Sequence, residues 1–183
     1  MKNIIFCTGN KNKINEMQSI LGDEFKIEGK KIDIPEIQDV NVRTVVEKKL
    51  DYAIEKLQQP LIVEDTGLYI KNMNGFPGAL VKFMLDKIKN NGISKLMGGS
   101  NATAVTVIGY YDGEKKHFFE GKKYGTISEK PKSMKKGFGW DPIFIPKMKD
   151  NNKTFSQMSI EDKNKISQRK AACHKFKASF SQI

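Results

Sequence analysis

The segment Thr8-Gly9-Asn10-Lys11-Asn12-Lys13 sits where a short apolar run, Ile4-Ile5-Phe6, gives way to the helical spacing of Ile14, Met17 and Leu21. A strand that turns into a helix through a glycine leaves the first helical N–H groups unpaired at the positive end of the dipole, and Gly9 lets a ligand approach the backbone closely. Lys11 and Lys13 add full charges, and Thr8 and Asn10 add hydrogen bonds of fixed reach. The chemistry that fits is the binding of a phosphate chain. The same residues also make an ordinary helix N-cap, so the turn by itself leaves both readings open.

Three further groups have residue types suited to the same ligand. Glu36 lies just past Pro35, which ends an extended stretch carrying Phe25, Ile27, Ile32 and Ile34, and Glu64-Asp65 follows the apolar strand Leu61-Ile62-Val63. Carboxylates at strand ends occupy the sheet edge where α/β proteins hold ligands, and hard oxygens of this kind suit Mg²⁺. The alternative is that the acids end a strand and cap a turn through Thr66. In Phe138-Gly139-Trp140-Asp141, aromatics beside a glycine can offer a ring face to a planar base, and the acid can accept from base N–H groups; the alternative is an aromatic plug in the core. Lys163, Ser167, Gln168 and Arg169 fall within about two turns of the last predicted helix, which is equally the pattern of a solvated face. His117 and His174 form neither a relay nor a metal pair.

The elements that must position these groups alternate between strand and helix. The spacing predicts a helix over 44–57, with Val46, Leu50, Ala53, Ile54 and Leu57 inward, Lys48 and Lys49 off that face, and Pro60 closing it. Gly75-Phe76-Pro77-Gly78 is a tight turn before a helix whose inner face is Val81, Met84, Leu85 and Ile88 and whose stop is Gly92. Strands over 104–111 and 116–120 flank the hairpin signal Asp112-Gly113, with 124–127 as a third strand. An exposed loop over 129–136 leads to a strand at 143–145, and one last helix runs from just after Ser159 to Phe180. The pattern is that of an α/β protein with a mixed sheet. Neither the dinucleotide-binding glycine fingerprint nor the Walker phosphate loop is present.

A chain of 183 residues has the length of one domain. Cys7 and Cys173, one in a predicted strand and one in a predicted helix, make neither a disulfide framework nor a thiolate metal site. The formal charge is +11, yet of 32 basic residues only Arg43 and Arg169 are arginine, and the lysines are spread along the chain. That distribution favours a solubilising surface that steers polyanions to a cleft over a nucleic-acid track, and no stable nucleic-acid partner is expected. A lysine-rich nucleic-acid-binding module without catalysis is the rival that the charge keeps open. No apolar run is long enough to span a bilayer, and the first residues enter a strand without a leader pattern, so a soluble cytoplasmic protein is expected, with no membrane partner.

Taken in order, Thr8-Gly9-Asn10-x-x-Lys13, Pro35-Glu36-Ile37-Gln38, Val63-Glu64-Asp65-Thr66-Gly67, Gly75-Phe76-Pro77-Gly78 and Gly137-Phe138-Gly139-Trp140-Asp141-Pro142 resemble the inosine triphosphate pyrophosphatase family over nearly the whole chain. The resemblance implies an elongated two-lobed α/β fold, a single domain over 1–183 built around a long curved mixed sheet, with the substrate cleft between the lobes. It also implies a homodimer, Mg²⁺, and hydrolysis of non-standard purine nucleoside triphosphates (ITP, dITP and XTP) to the monophosphate and pyrophosphate. By position, Thr8 to Lys13 would hold the triphosphate, with Lys48, Thr66 and Lys82 as further substrate contacts. Glu36 and Asp65 would coordinate the metal, and Asp65 would also orient or deprotonate the attacking water. Phe138, Gly139, Trp140, Asp141, Lys163, Gln168 and Arg169 would surround the base. One position departs from the family, which usually has Ser-His-Arg where this chain has Ser167-Gln168-Arg169. A glutamine amide can donate to a purine 6-keto oxygen but cannot become charged, which opens the alternative of a pyrophosphatase for another modified nucleotide.

Overall fold

Two long antiparallel strands form the spine of a seven-stranded mixed sheet in the computed structural model, which describes residues 1–132 and 138–180. In chain order the elements are β1 (Lys2–Cys7), α1 (Lys11–Leu21), β2 (Phe25–Lys30), α2 (Val42–Leu57), β3 (Leu61–Ile70), β4 (Pro77–Gly78), α3 (Val81–Met97), β5 (Asn101–Tyr111), β6 (Lys116–Ile127), β7 (Phe144–Pro146), α4 (Ile160–Ile166) and α5 (Gln168–Ser179). The strand order is β2-β1-β3-β5-β6-β7, with the short β4 beside β3. β1 runs parallel to both β2 and β3, and the other pairings are antiparallel.

Period-two alternation along β3 assigns its two faces. Ile62 points with Phe6 and Ile108 towards α1 and α5, where Met17, Leu21 and Phe176 complete the packing. Leu61 and Val63 point the other way, against Val42, Val46, Leu50 and Ala53 of α2. Farther along the same strand, Leu68 and Ile70 enter a third cluster with Val81, Ile93, Trp140, Phe144 and Phe155. β3 and β5 thus pass from one packed half of the molecule into the other, and the cleft described below opens between them. No described helix is long and apolar enough to cross a membrane.

Several elements differ from their sequence pattern, each for a tertiary reason. Glu64 and Asp65 do not end a strand: β3 continues to Ile70 because β5 pairs with it residue for residue from Leu61↔Tyr111 to Ile70↔Ala102. The predicted strands at 116–120 and 124–127 are one strand, β6, held by the same partner. Gly92 does not stop α3, which runs to Met97 but is interrupted at Lys89, whose φ/ψ of 57°/176° is not helical. The last helix is two helices: Ser167 takes extended backbone, ends α4 and caps α5 by accepting from the Lys170 N–H. Ile32 and Ile34 lie in irregular chain after β2. Gly137 and residues 133–136 of the predicted loop lie outside the described residues.

Candidate active site

At one edge of the sheet β1 and β2 end level with each other, beside the parallel β3, which runs on past them to Ile70. Cys7 of β1 is level with Lys30 of β2, and Phe6 is level with Ile62 of β3. Two residues farther along, Thr8 and Glu64 therefore emerge side by side, and the edge carries the phosphate-type turn, the acids and Lys31 together. The cleft here has a volume of about 930 Å³, within the range of small-molecule sites, and its walls come from both halves of the molecule.

The turn is built by its own side chains. Thr8 Oγ1 accepts from the Asn10 N–H at 3.1 Å, and Asn10 Oδ1 caps α1 by accepting from Asn12 and Lys13. The N-cap reading of this segment therefore holds, and the cap consumes two of the N–H groups expected to face an anion. Lys13 reaches inward, with its Nζ 3.3 Å from Glu64 Oε2 and 3.7 Å from Asp65 Oδ1.

A chain of alternating charges continues from there. Lys49 Nζ lies 2.5 Å from Glu36 Oε1 and 4.0 Å from Asp65 Oδ1. Burial works against the charge of Lys49, but Asp65 and Glu36 outweigh it and raise its pKa; burial likewise opposes ionisation of Glu36, which Lys49 pulls below the ordinary range. Glu64 is fully buried, yet Arg169, Lys13 and the Thr66 hydroxyl, which donates at 2.5 Å, hold its carboxyl down at about 2. Arg169 is itself buried and is shared between Glu16 and Glu64. Glu16 also meets Lys163, whose Nζ sits 2.8 Å from Glu16 Oε1 and 2.7 Å from Asp141 Oδ2. Burial raises the pKa of Asp141, and Lys163 offsets this only partly.

These contacts reach the aromatic turn. Asp141 accepts from the Phe138 N–H, and Lys163 Nζ stands 4.8 Å from the centre of the half-buried Phe138 ring, which faces the cleft. Trp140 borders the cleft but serves the core, packing edge-on to Phe144 with ring centres 5.4 Å apart. Gln168 and Arg169 arrive through the break at Ser167 and through Gly121 of β6, where a Cβ would come within 2.1 Å of the Gln168 carbonyl oxygen. Only glycine lets the first turn of α5 settle so close to the strand. Gln168 Oε1 and Arg169 Nε are buried without a hydrogen-bond partner among the described residues.

Of the residues read from the sequence, Thr8, Gly9, Asn10, Lys13, Glu36, Asp65, Thr66, Lys82, Phe138, Gly139, Trp140, Asp141, Lys163, Gln168 and Arg169 all border this cleft. Lys11, Asn12 and Lys48 are exposed and do not. The outward orientation of Lys48 has a simple cause. Val42, Val45, Val46, Lys49, Leu50 and Ala53 form the inward stripe of α2, so Lys49 points in and Lys48 points out. A lysine at i+3 and i+7 of an apolar stripe is a legible signal. Glu16, buried between Arg169 and Lys163, left no comparable trace, because its partners are more than a hundred residues away.

Glu36 and Asp65 converge on one cation, the Lys49 ammonium, and this convergence of hard oxygen donors fits a divalent ion such as Mg²⁺. No group of three or more His, Cys, Asp or Glu residues among the described residues forms a closed metal cage, so such an ion would complete its shell with water and ligand oxygens.

Comparison with known proteins gives one answer. The profile of the Ham1 family matches residues 4–179. A dITP/XTP pyrophosphatase of Methanopyrus kandleri is 39% identical over 179 residues, covering 94% of this chain and 93% of that protein. An inosine triphosphate pyrophosphatase of Kluyveromyces lactis is 38% identical over 178 residues, with 91% and 89% covered. The solved structure of the Staphylococcus aureus Ham1 protein superposes with a TM-score of 0.75 at 26% identity, covering 99% of each chain. Matched by the family profile over nearly its whole length and by relatives at close to two-fifths identity, the chain belongs to the Ham1 family.

Proposed function

We propose that this protein hydrolyses non-standard purine nucleoside triphosphates, ITP, dITP and XTP, to the monophosphate and pyrophosphate. The observation that carries the reading is the convergence of Lys13, Lys49, Glu36 and Asp65 beside the Thr8–Asn10 turn, where β1 and β2 end alongside β3. The relatives named above as pyrophosphatases of ITP, dITP and XTP support the same substrates.

In this reading the triphosphate lies along the lysine-bearing turn, and Lys13 and Lys49 neutralise the charge that grows on its oxygens. Asp65 accepts a proton from a water directed at the α-phosphorus. The new bond joins the water oxygen to that phosphorus, the bond to the bridging oxygen breaks, and pyrophosphate leaves with the electron pair. Glu36 and Asp65 would hold Mg²⁺, which when bound polarises phosphate oxygens and neutralises their charge. Arg169 and Lys13 keep Glu64 ionised next to Asp65, fixing Lys13 between the two acids. The base lies against Phe138, near Lys163, Asp141 and Gln168. An amide donor there rewards a 6-keto oxygen and meets the amino group of adenine without a bond, the asymmetry by which buried polar groups discriminate. The protein works in this reading as a homodimer in the cytoplasm.

The test is pyrophosphate release from ITP, dITP, XTP, dUTP, GTP and ATP, each with Mg²⁺ and with a chelator. Preference for ITP and XTP that disappears with the chelator is expected; a profile blind to the purine base refutes the substrate. Asp65→Asn is expected to leave the circular dichroism spectrum unchanged and to lower kcat by about two to four orders of magnitude. Near wild-type release by that variant refutes Asp65 as the base.

A further inference from the structure

Gly9 has no reason in the fold to be glycine. Its φ lies outside the left-handed region, and a Cβ built on it would meet only the methylenes of Lys31, at 3.5 Å or more, which is ordinary contact. Gly67 and Gly121 differ, since a Cβ would come within 2.6 Å and 2.1 Å of neighbouring atoms. A glycine required by neither turn nor packing leaves room for something other than the chain.

Lys31 lies across that room. It follows Lys30, which is level with Cys7 in the parallel pairing of β2 with β1, so Lys31 emerges beside Thr8 at the sheet edge. Its side chain is exposed, borders the cleft and runs over Gly9. Lys13, Lys49 and Lys163 each have carboxylate partners in the cleft, whereas Lys31 has none among the described residues. The turn below it is short of anion donors, because Asn10 takes the N–H groups of Asn12 and Lys13, leaving those of Gly9 and Lys11 without a partner among the described residues.

We propose that Lys31 is a further substrate-binding residue, whose ammonium closes over the phosphate chain in the space Gly9 leaves open. The ligand class is a polyphosphate, and the proposal rests on the triphosphate reading above only for that chemistry. The edge then presents the Lys31 charge from the chain just after β2, backbone donors from the turn between β1 and α1, and the paired lysines from α1 and α2 around one anion.

The test uses the full chain and inorganic pyrophosphate as probe, titrated calorimetrically in buffer with Mg²⁺, beside steady-state kinetics with ITP. Lys31→Met is expected to weaken pyrophosphate binding and raise KM about tenfold, with kcat within about threefold and Tm unchanged. Lys31→Arg is expected to restore binding, and Gly9→Ala to keep the wild-type Tm while losing affinity. If Lys31→Met binds pyrophosphate as the wild type does, or if the wild type does not bind it, the proposal is overturned. If no variant or wild type hydrolyses ITP while the contrast in pyrophosphate binding persists, the substrate reading fails and the role of Lys31 stands. A fall in Tm for Gly9→Ala would make that glycine structural and overturn the argument from space.

Discussion

Lys49 Nζ lies 2.5 Å from Glu36 Oε1, joining a carboxylate on irregular chain to the inward stripe of α2. The neighbouring Lys48 points to solvent. Lys49→Met is therefore expected to lower kcat/KM for ITP by about two orders of magnitude or more, the usual effect of removing a preorganised charge from such a site. Lys48→Met is expected to stay within about threefold of wild type, since exposed charges contribute little. Equal losses in the two variants, measured by pyrophosphate release, would contradict the orientation of α2.

Glu64 links the cleft to stability. Its folded pKa, about 2, lies below its ordinary value of 4.5, so its contribution is fully present above pH 4.5 and is lost as pH falls towards 2. The depression corresponds to about 3 kcal/mol for this buried carboxylate. Asp141 acts in the opposite sense, because a raised folded pKa makes its share of stability fall as pH rises through that value. Thermal unfolding followed from pH 7 to 3 is expected to show a steep acid loss of Tm in the wild type. Glu64→Gln is expected to start lower, with Arg169 missing a partner, and to lose less on acidification. Parallel profiles would place the acid sensitivity elsewhere.

Lys89 interrupts α3 with a φ/ψ of 57°/176°, a region that costs a residue with a side chain about 1–3 kcal/mol. Glycine adopts it freely but adds about 1 kcal/mol of unfolded-state entropy. Lys89→Gly is expected to gain about 1 kcal/mol net and raise Tm by about 2–4 °C in a scanning calorimeter. A lower Tm would show that the Lys89 side chain, whose Nζ donates to the Asp86 carbonyl, stabilises the break more than its backbone strains it.

Gln168 bears on pH dependence. Its buried amide does not titrate, so the ratio of kcat/KM for ITP to that for ATP is expected to be flat between about pH 6 and 8. Gln168→His introduces a group with an ordinary pKa of about 6.5, and the ratio is expected to acquire a slope across that range. A flat ratio in the variant would mean that this position does not read the base.

Local spacing determined much of the outcome. The strand-turn-helix at 4–21, the amphipathic α2, the Asp112-Gly113 hairpin and the order of the motifs were legible because each depends on neighbours within a few residues. They specified most of the elements and, through the resemblance, many of the residues that border the cleft. The tertiary structure alone decided how those elements end and which charges meet. The pairing with β5 carried β3 past its acids, Ser167 split the last helix, and the parallel register of β1 with β2 and β3 put Lys31, Thr8 and Glu64 side by side. Glu16, Lys49 and Glu64 became parts of one charge chain only when distant segments closed around them, because a buried charge is settled by partners that local sequence does not contain.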